Sequence, residues 1–414
     1  MYNQIVDVGL TSRILEDYLV KSNYWDTPEK RLRHAYITSP CAYVLLPSQK
    51  TRLEIIARVV FRSVICLEHK LAELARASTL THTEAQFIRM ARGASRGLIQ
   101  PGEGSDRQIP PVIKLDMVQD TAGNYFVVEV DVYNPRALGL MALCDNSLPL
   151  VGHKPAYPIV SSLQSELHIT QEPGFTELTI VVSEFERYYE TSFLVLAKAL
   201  SASGIRTRLM REREVVANPK LLGKKGLRVF AIPEGLDRNP SLRDLLVARY
   251  RAGSAHAFYP PKAYLGSKSL LPFLASQEEM SGIVPATEHV MGKYEPRVLS
   301  ESHTLDQMVL KFANSSGSKR VVFSHLDPEK FWTILKESKN TRTPQWIIQK
   351  QVPQTPIPVV VFTSEKERGA IPCYLRITAY VTKSGVGGIR VTGRSAQLVH
   401  GAFDSIQLPV VQSQ

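Results

Sequence analysis

The stretch PVIKLDMVQDTAGNYFVVEVDVYNP, residues 111–135, contains two β-rich runs separated by a turn-rich segment with a glycine. This pattern predicts an antiparallel hairpin. Glu129 and Asp131 are two residues apart on the second strand, so their side chains project from one face, and Asp116 on the first strand can lie opposite them. Three converging carboxylates repel one another unless a cation neutralises them, and such oxygen ligands suit Mg²⁺ bound to nucleotide phosphates. The hairpin therefore predicts a metal site, with an exposed polar face as the alternative.

A second segment, VLKFANSSGSKRVVF (residues 309–323), combines a strand with a loop of small residues. The strand ends at Lys311, and the loop contains Ser315, Ser316 and Gly317. Glycine and its serine neighbours let backbone N–H groups approach phosphate oxygens closely, and the lysine adds positive charge. Because the pattern GxxxxGK[ST] is absent, this is not a P-loop. The segment predicts a phosphate-binding loop that also covers the site, with a plain hairpin turn as the alternative.

A third segment, QWIIQKQVP (residues 345–353), is an apolar strand that leads into Gln349, Gln351 and Val352. Such a strand can form a hinge between two lobes, with backbone groups for the edge of an adenine ring and apolar side chains for its face. An ordinary buried strand is the alternative.

The strands after this hinge contain three arginines of chemical interest, Arg376, Arg390 and Arg394. Guanidinium groups suit bidentate recognition of phosphate or carboxylate. On exposed strands, however, arginines are commonly only solvated.

Around these segments the pattern predicts an α/β and α+β protein. Residues 51–78 form one long amphipathic helix, because apolar residues recur at intervals of three and four. After a Pro- and Ser-rich boundary near residues 150–175, ELTIVVSEF, a helix and IRTRLMRE predict a βαβ unit with a parallel sheet. The absence of GxGxxG after its first strand makes that unit a scaffold. The predicted domains are residues 1–172, 173–262 and 263–414.

Composition limits the classes of function that remain. The 414 residues carry a net charge of +11, which attracts anions, but the basic runs are short and lack interleaved aromatic residues, so a nucleic-acid partner is not favoured. Four widely spaced cysteines in mostly apolar sequence are typical of reduced core thiols rather than of a disulfide or zinc framework. No export signal or membrane segment is indicated, so we expect a cytoplasmic protein.

The order of these motifs resembles that of the circularly permuted ATP-grasp ligases, in particular the synthetase domain of glutathionylspermidine synthase. The resemblance covers roughly residues 113–414. It rests on an early metal-binding strand pair, a helix start with a lysine, a lysine with a glycine loop, a hinge strand and a GIR strand. The matching residues are Lys114, Asp116, Glu129, Asp131, Asn134 and Pro135, then Lys268, then Lys311 to Gly317, then Gln349 to Pro353, and finally Gly388, Ile389 and Arg390.

The resemblance implies a circularly permuted ATP-grasp fold with a Rossmann-like pre-ATP-grasp βαβ domain. It also implies an ATP- and Mg²⁺-dependent ligase that joins a small-molecule or peptide carboxylate to an amine through an acyl phosphate, with release of ADP. The implied metal ligands are Asp116, Glu129 and Asp131. The implied catalytic residues are Lys114, Arg376 and Arg390. The implied nucleotide-binding residues are Lys268, Lys311, Ser315, Ser316, Gly317, Gln349, Gln351 and Val352.

Several of the motifs depart from the family pattern. Lys114 replaces an arginine expected to contact the transferred phosphoryl group, Asp131 replaces an asparagine metal ligand, and Lys350 replaces the hinge glutamate. These departures leave open a second function, a catalytically weak or inactive ATP-grasp protein that binds a nucleotide or a partner. The sequence names neither the acid nor the amine, and it does not indicate an oligomeric state.

Overall fold

The computed structural model describes residues 4–10, 39–89, 101, 111–132, 137–169, 177–222, 227–231, 239–252, 256–257, 262–290, 307–313, 320–339, 345–363, 367–399 and 404–413. This part of the chain is a mixed α/β structure with four sheets. The largest sheet is antiparallel, and its strands follow the order β16-β15-β14-β3-β4, with β13 paired to β14. We call it the core sheet. Its strands are β3 Ile113–Gln119, β4 Tyr125–Asp131, β13 Ile357–Phe362, β14 Arg368–Thr382, β15 Gly385–Arg394 and β16 Ile406–Leu408.

The hairpin predicted from the opening stretch is present as β3 and β4. Asp120 accepts backbone hydrogen bonds from Ala122 and Asn124, which stabilises the turn between the strands. The pairing contains a β-bulge: Asp116 lies opposite Glu129, but Met117 lies opposite Val127. Val128 is therefore the extra residue of β4.

The long helix predicted from sequence is α1, Pro47–Arg76. It begins four residues earlier than predicted, with proline at its first position, where no hydrogen-bonded N–H is required. It ends before Ser78, whose φ of 57° lies in the left-handed region. Its apolar stripe packs against the core sheet, and each fully buried aliphatic side chain contributes about 1.5–3 kcal/mol. The stripe includes Leu53, Ile56, Val60, Val64, Leu67 and Leu71.

The two faces of the core sheet differ in character. Ile377 and Ala379 of β14 belong to the apolar core beneath α1. Arg376, Thr378 and Tyr380 alternate with them and therefore face the other side. Polar side chains are thus concentrated on one face of this sheet.

Two helices lie along the polar face, α3 (Leu138–Ser147) and α4 (Ile159–Ile169). α4 approaches β15 so closely that a Cβ at Gly388 would lie 3.0 Å from the Cβ of Ile159. Glycine permits this close approach, because any side chain at this position would force Ile159 to shift.

The predicted βαβ unit is confirmed as a four-stranded parallel sheet with the order β6-β5-β7-β8. The helix between its first two strands is followed by Gly204, which has a φ of 95° and lets the chain leave the helix. The elements are β5 Glu177–Val182, α5 Glu190–Ala202, β6 Arg206–Arg211, α6 Glu212–Ala217, β7 Leu227–Ala231, α7 Pro240–Arg251 and β8 His256–Ala257.

A second antiparallel sheet, which we call the lobe sheet, has the order β11-β10-β12-β9. One of its faces packs against α9, Pro328–Lys339, through Leu310, Val322 and Ile348. The opposite face is turned toward the core sheet. The strands are β9 Thr287–Val290, β10 Met308–Phe312, β11 Val321–Phe323 and β12 Trp346–Lys350.

The remaining elements complete the core. Strands β1 (Ile5–Asp7), β2 (Cys41–Leu45) and β17 (Val410–Gln412) form a small sheet that joins the two ends of the described chain. Helices α2 (His82–Arg89) and α8 (Leu270–Ala275) pack beside α1. In the described ranges, no helix is both long enough and apolar enough to cross a membrane.

Candidate functional site

A cleft lies between the core sheet and the lobe sheet. Its lining contains eight of the site residues that the sequence predicted, although they come from widely separated parts of the chain. These eight are Asp116, Glu129, Lys268, Lys311, Gln349, Gln351, Val352 and Arg376.

Three further predicted residues, Lys114, Asp131 and Arg390, lie next to the cleft rather than in its lining. Ser315, Ser316 and Gly317 lie outside the described residues, as do Asn134 and Pro135 of the family motif. The roles predicted for these five residues stay predictions.

The core sheet arranges its charges in rows that cross the strands. Strand register places Arg390 opposite Thr378, Thr378 opposite Asp116, and Asp116 opposite Glu129. The next row along the hairpin places Lys114 opposite Asp131. Neighbours in such rows are close enough for direct ion pairs and hydrogen bonds.

Asp116 is the centre of this network. Its Oδ1 accepts a hydrogen bond of 2.7 Å from Thr378 Oγ1, and its Oδ2 lies 3.3 Å from Lys114 Nζ and 3.6 Å from Arg376 Nη1. Burial alone would raise the pKa of Asp116, but Arg376, Lys114 and the Thr378 hydrogen bond together hold that pKa well below its usual range. The carboxylate is therefore ionised and held by the protein's own cations.

Lys114 joins Asp116 to Asp131, whose Oδ2 lies 3.9 Å from Lys114 Nζ. Burial would lower the pKa of Lys114, but the carboxylates of Asp116, Asp131 and Glu129 outweigh burial and raise that pKa. The ammonium group thus stays charged. Its surroundings identify it as the counterion of the hairpin carboxylates.

Lys268 enters the cleft from the turn before α8, and its Nζ lies 3.4 Å from Glu129 Oε1. Its backbone N–H donates to Ala313 O over 2.9 Å, which fixes the turn against the end of β10. Six residues earlier, Lys262 forms a buried ion pair with Glu68 of α1. The segment that carries Lys268 is therefore held at both ends.

Lys311 is buried on the cleft-facing side of the lobe sheet. Its Nζ donates to Val128 O over 2.8 Å and to Gln349 Oε1 over 2.6 Å. Gln349 Nε2 in turn donates to Thr287 Oγ1 over 2.9 Å, which fixes the orientation of the amide. Burial is the main cause that lowers the pKa of Lys311 to about 8. Gln349, predicted as a nucleotide contact, therefore also positions this lysine.

The outer part of the cleft is mainly apolar. Val309, Val321 and Phe323 of the lobe sheet line it together with Val352 at the end of the hinge strand. Across from them runs the segment of residues 395–399, which we call the strap. An apolar slot beside a cluster of cations suits a ligand with a flat ring and an anionic tail.

The strap contains cleft residues that the sequence reasoning missed. Val399 O accepts a 3.1 Å hydrogen bond from Arg376 Nη1, and Gln397 Oε1 lies 3.0 Å from His325 Nε2 beyond the lobe sheet. Irregular backbone gives no periodic signal, so nothing in the sequence pointed to the strap.

Thr378 was also missed, although its alternation with apolar residues in β14 marks it as a residue of the polar face.

The three carboxylates predicted to bind metal were tested against their surroundings. Both oxygens of Asp116 are engaged, Oε1 of Glu129 faces Lys268, and Asp131 lies outside the cleft lining. Across the described ranges, no group of three or more His, Cys, Asp or Glu side chains is arranged to hold a metal ion. The carboxylates in this arrangement do not fit a resident Mg²⁺, and their metal role stays a prediction.

Comparison with known proteins gives a match of fold. No protein-family model matches the sequence, and no curated protein matches it either. Among solved structures, the chain is similar to a glutathione synthetase-like effector from Globodera pallida in its apo form, with a TM-score of 0.56 and 10% identity over 98% of this chain and 99% of that one.

A second solved structure is named "Putative gamma-glutamylcysteine synthetase", from Methylobacillus flagellatus KT. It has a TM-score of 0.43 and 11% identity over 81% of this chain and 84% of that one, which is too distant to argue from. The first likeness spans nearly all of both chains. The protein therefore has the fold of a glutathione synthetase-like structure.

Proposed function

We propose that the chain is an ATP-dependent carboxylate–amine ligase that forms an amide or peptide bond and releases ADP. The observation that carries the proposal is the convergence of Lys268, Lys311 and Arg376 with an apolar slot in one cleft. A nucleoside triphosphate requires both features, cations for its phosphates and an apolar surface for its base. The synthetase-like fold supports the same class of reaction.

The proposal includes the domain organisation expected from the sequence. Residues 1–172 would supply the N-terminal helical region and the carboxylate hairpin, residues 173–262 a Rossmann-like pre-ATP-grasp domain, and residues 263–414 the nucleotide-binding lobe. In this arrangement the hairpin precedes the lobe in the chain, which is the circularly permuted order of the ATP-grasp fold. The free cysteines accord with a reducing cytoplasm.

In the first step of the proposed reaction, an oxygen of the substrate carboxylate attacks the γ-phosphorus of ATP. The bond to the β–γ bridging oxygen breaks, and ADP leaves. Lys268 and Lys311 would hold the phosphates, and the side chains around Val352 would contact the base, with Gln351 at its edge. Positioning and charge neutralisation are the main contributions that a protein makes to phosphoryl transfer.

In the second step, the amine nitrogen attacks the carbonyl carbon of the acyl phosphate, phosphate leaves, and the amine loses a proton. Arg376 lies at the cleft and would stabilise the negative charge that develops on the acyl oxygen and phosphate. Lys114 and Arg390 lie next to the cleft and would act indirectly, by balancing the negative charge of Asp116. An acyl phosphate exposed to water hydrolyses, so the loop with Ser315, Ser316 and Gly317 remains our candidate for the cover.

The test is a phosphate-release screen with Mg²⁺-ATP over amino acids, short peptides and polyamines, followed by the mass of any condensed product. Lys268→Met should lower ADP formation by about 100-fold or more, because a fixed cation at the phosphates is lost. Lys336→Met, which removes an exposed lysine of α9, is the control and should keep full turnover. Equal turnover in both variants would remove Lys268 from the site.

One observation favours a second function, binding without catalysis. The hairpin carboxylates are held by Lys114, Arg376 and Lys268, as in a site that has lost its catalytic metal. ATP binding without ADP formation across the whole panel would identify the protein as a nucleotide-binding module rather than a ligase.

A further inference from the structure

The charges that face the cleft are unequal in number. Lys268, Lys311 and Arg376 are the three cations of the lining that face the cleft, and Asp116 and Glu129 are the two carboxylates, which leaves an excess of one positive charge. A site that depends on a divalent cation generally has the opposite balance, because its carboxylates must attract the metal. This cleft attracts anions directly.

The place that a metal would occupy is already filled by side-chain cations. Mg²⁺ requires near-octahedral oxygen ligands at about 2.0–2.1 Å and is usually held by one or two carboxylates plus phosphates. Here Lys114 Nζ lies 3.3 Å from Asp116 Oδ2, and Arg376 Nη1 lies 3.6 Å from the same atom. A metal bound to that oxygen would meet two positive groups and would have to displace them.

Lys311 gives an independent indication of an anionic ligand. It is buried at 8% exposure, and its two hydrogen-bond acceptors, Val128 O and Gln349 Oε1, are both neutral. An ammonium group has three donor hydrogens, so one donor remains for the cleft. The carboxylates of Glu129 and Asp116 favour its charged form but do not outweigh burial, so an anion bound beside the ammonium group would stabilise it further.

We infer that this cleft binds the triphosphate of its nucleotide as the free anion, with side-chain cations in place of a divalent metal ion. The inference rests on the proposed function, since it takes a nucleoside triphosphate as the ligand. It separates binding from turnover: affinity should be independent of metal, whatever the chemical step requires.

The experiment is isothermal titration calorimetry of the purified full chain with ATP, in excess EDTA and in saturating Mg²⁺, at matched ionic strength. We expect the two dissociation constants to agree within about tenfold, that is, within about 1.4 kcal/mol. A loss of more than that in EDTA overturns the inference and leaves the proposed function standing. No binding in either condition would overturn both.

A pair of variants tests the cause. Lys114→Met removes the cation between Asp116 and Asp131, so its ATP affinity should become dependent on Mg²⁺. Lys114→Arg keeps the charge and should bind ATP equally in EDTA and Mg²⁺. Thermal melting of both variants checks that they fold. The assignment of Lys114 to the metal position is wrong if Lys114→Met folds and binds ATP with an affinity that does not depend on Mg²⁺. It is also wrong if Lys114→Arg needs Mg²⁺ to bind ATP.

If Lys114→Met does not fold, competition experiments on the natural chain test the inference instead. Inorganic triphosphate in EDTA should displace ATP, because the anion is the recognised group, whereas AMP should compete at least about tenfold less well. Better competition by AMP would contradict the inference.

Discussion

The two walls of the cleft handle charge in different ways. On the core-sheet wall, Asp116 is balanced by Lys114 and Arg376, so its charge is satisfied within the protein. On the lobe-sheet wall, Lys311 is buried with two neutral hydrogen-bond acceptors, and the carboxylates of Glu129 and Asp116 do not outweigh the effect of burial on its pKa. The charge of the core wall is therefore balanced within the protein, whereas under the proposed function the lobe wall would be completed by a bound anion. Changes in the first should appear in stability, and changes in the second should appear in binding.

The largest effect should follow from Asp116→Ala. The substitution leaves Lys114 and Arg376 without their shared carboxylate and Thr378 without its acceptor, which should cost about 3–4 kcal/mol of the free energy of unfolding. Urea denaturation measures it. A loss below about 1 kcal/mol would show that the core wall is not a self-contained network.

Lys311→Met should have the next largest effect, and on binding rather than folding. Loss of the ammonium group should weaken ATP binding by about 2–3 kcal/mol, or roughly 30- to 150-fold in affinity, because a buried charge contact with phosphate disappears. The free energy of unfolding should change by less than about 1 kcal/mol, since removal of a buried ammonium offsets the loss of its hydrogen bonds to Val128 O and Gln349 Oε1. Calorimetry and urea denaturation on the same preparation separate the two. A destabilised variant with normal affinity would reverse the comparison.

Asp145 of α3 shows what happens to a buried carboxyl group when no cation balances it. Burial raises the pKa of Asp145 to about 7, even though it accepts a 2.9 Å hydrogen bond from Ile159 N. A raised pKa in the folded state means that its stabilising contribution is present at low pH and is lost as the pH rises through about 7.

Asp145→Asn removes this titration and keeps an oxygen acceptor for Ile159 N. The stability of the variant relative to the natural chain should increase from about pH 4 upward, and it should be about 2–3 kcal/mol greater at pH 8 than at pH 5. Thermal melts across that pH range measure the difference. A constant difference at all pH values would mean that Asp145 is not the titrating group.

The smallest expected effect is the pH dependence of ATP binding. Below its pKa of about 8, Lys311 is charged, and affinity should fall as the pH rises through and beyond that value. Between about pH 7.5 and 9.5 the loss should be about tenfold in the natural chain. Lys311→Arg stays charged and should give a flat profile, so equal slopes for both proteins would exclude Lys311 as the cause.

Local patterns were the reliable part of the sequence. Alternation along the strands predicted the hairpin and the shared face of Asp116 and Glu129, because side-chain direction follows directly from strand geometry. The spacing of apolar residues predicted α1 for the same kind of reason. These predictions needed no knowledge of distant parts of the chain.

The site itself depends on contacts that the sequence does not encode locally. Lys311 Nζ meets Val128 O across 183 positions of sequence separation, and the strap residue Gln397 meets His325 across 72. Lys114 was interpreted as a catalytic substitute for arginine, and its place between two carboxylates could not be predicted without the register of the strands. The family resemblance indicated which residues belong together, but not which charge balances which.

The β-bulge at Val128 decides which face of the hairpin carries Glu129. Before the bulge, Tyr125 and Val127 point into the core, and after it Val130 does so, which means that the inward positions change from odd to even numbers. In a regularly alternating strand of this sequence, Tyr125, Val127 and Glu129 would all point into the core. The extra residue Val128 shifts the alternation by one position, so that Val130 points inward and Glu129 points toward the cleft. The bulge therefore lets one strand keep its apolar residues in the core and its carboxylates at the cleft.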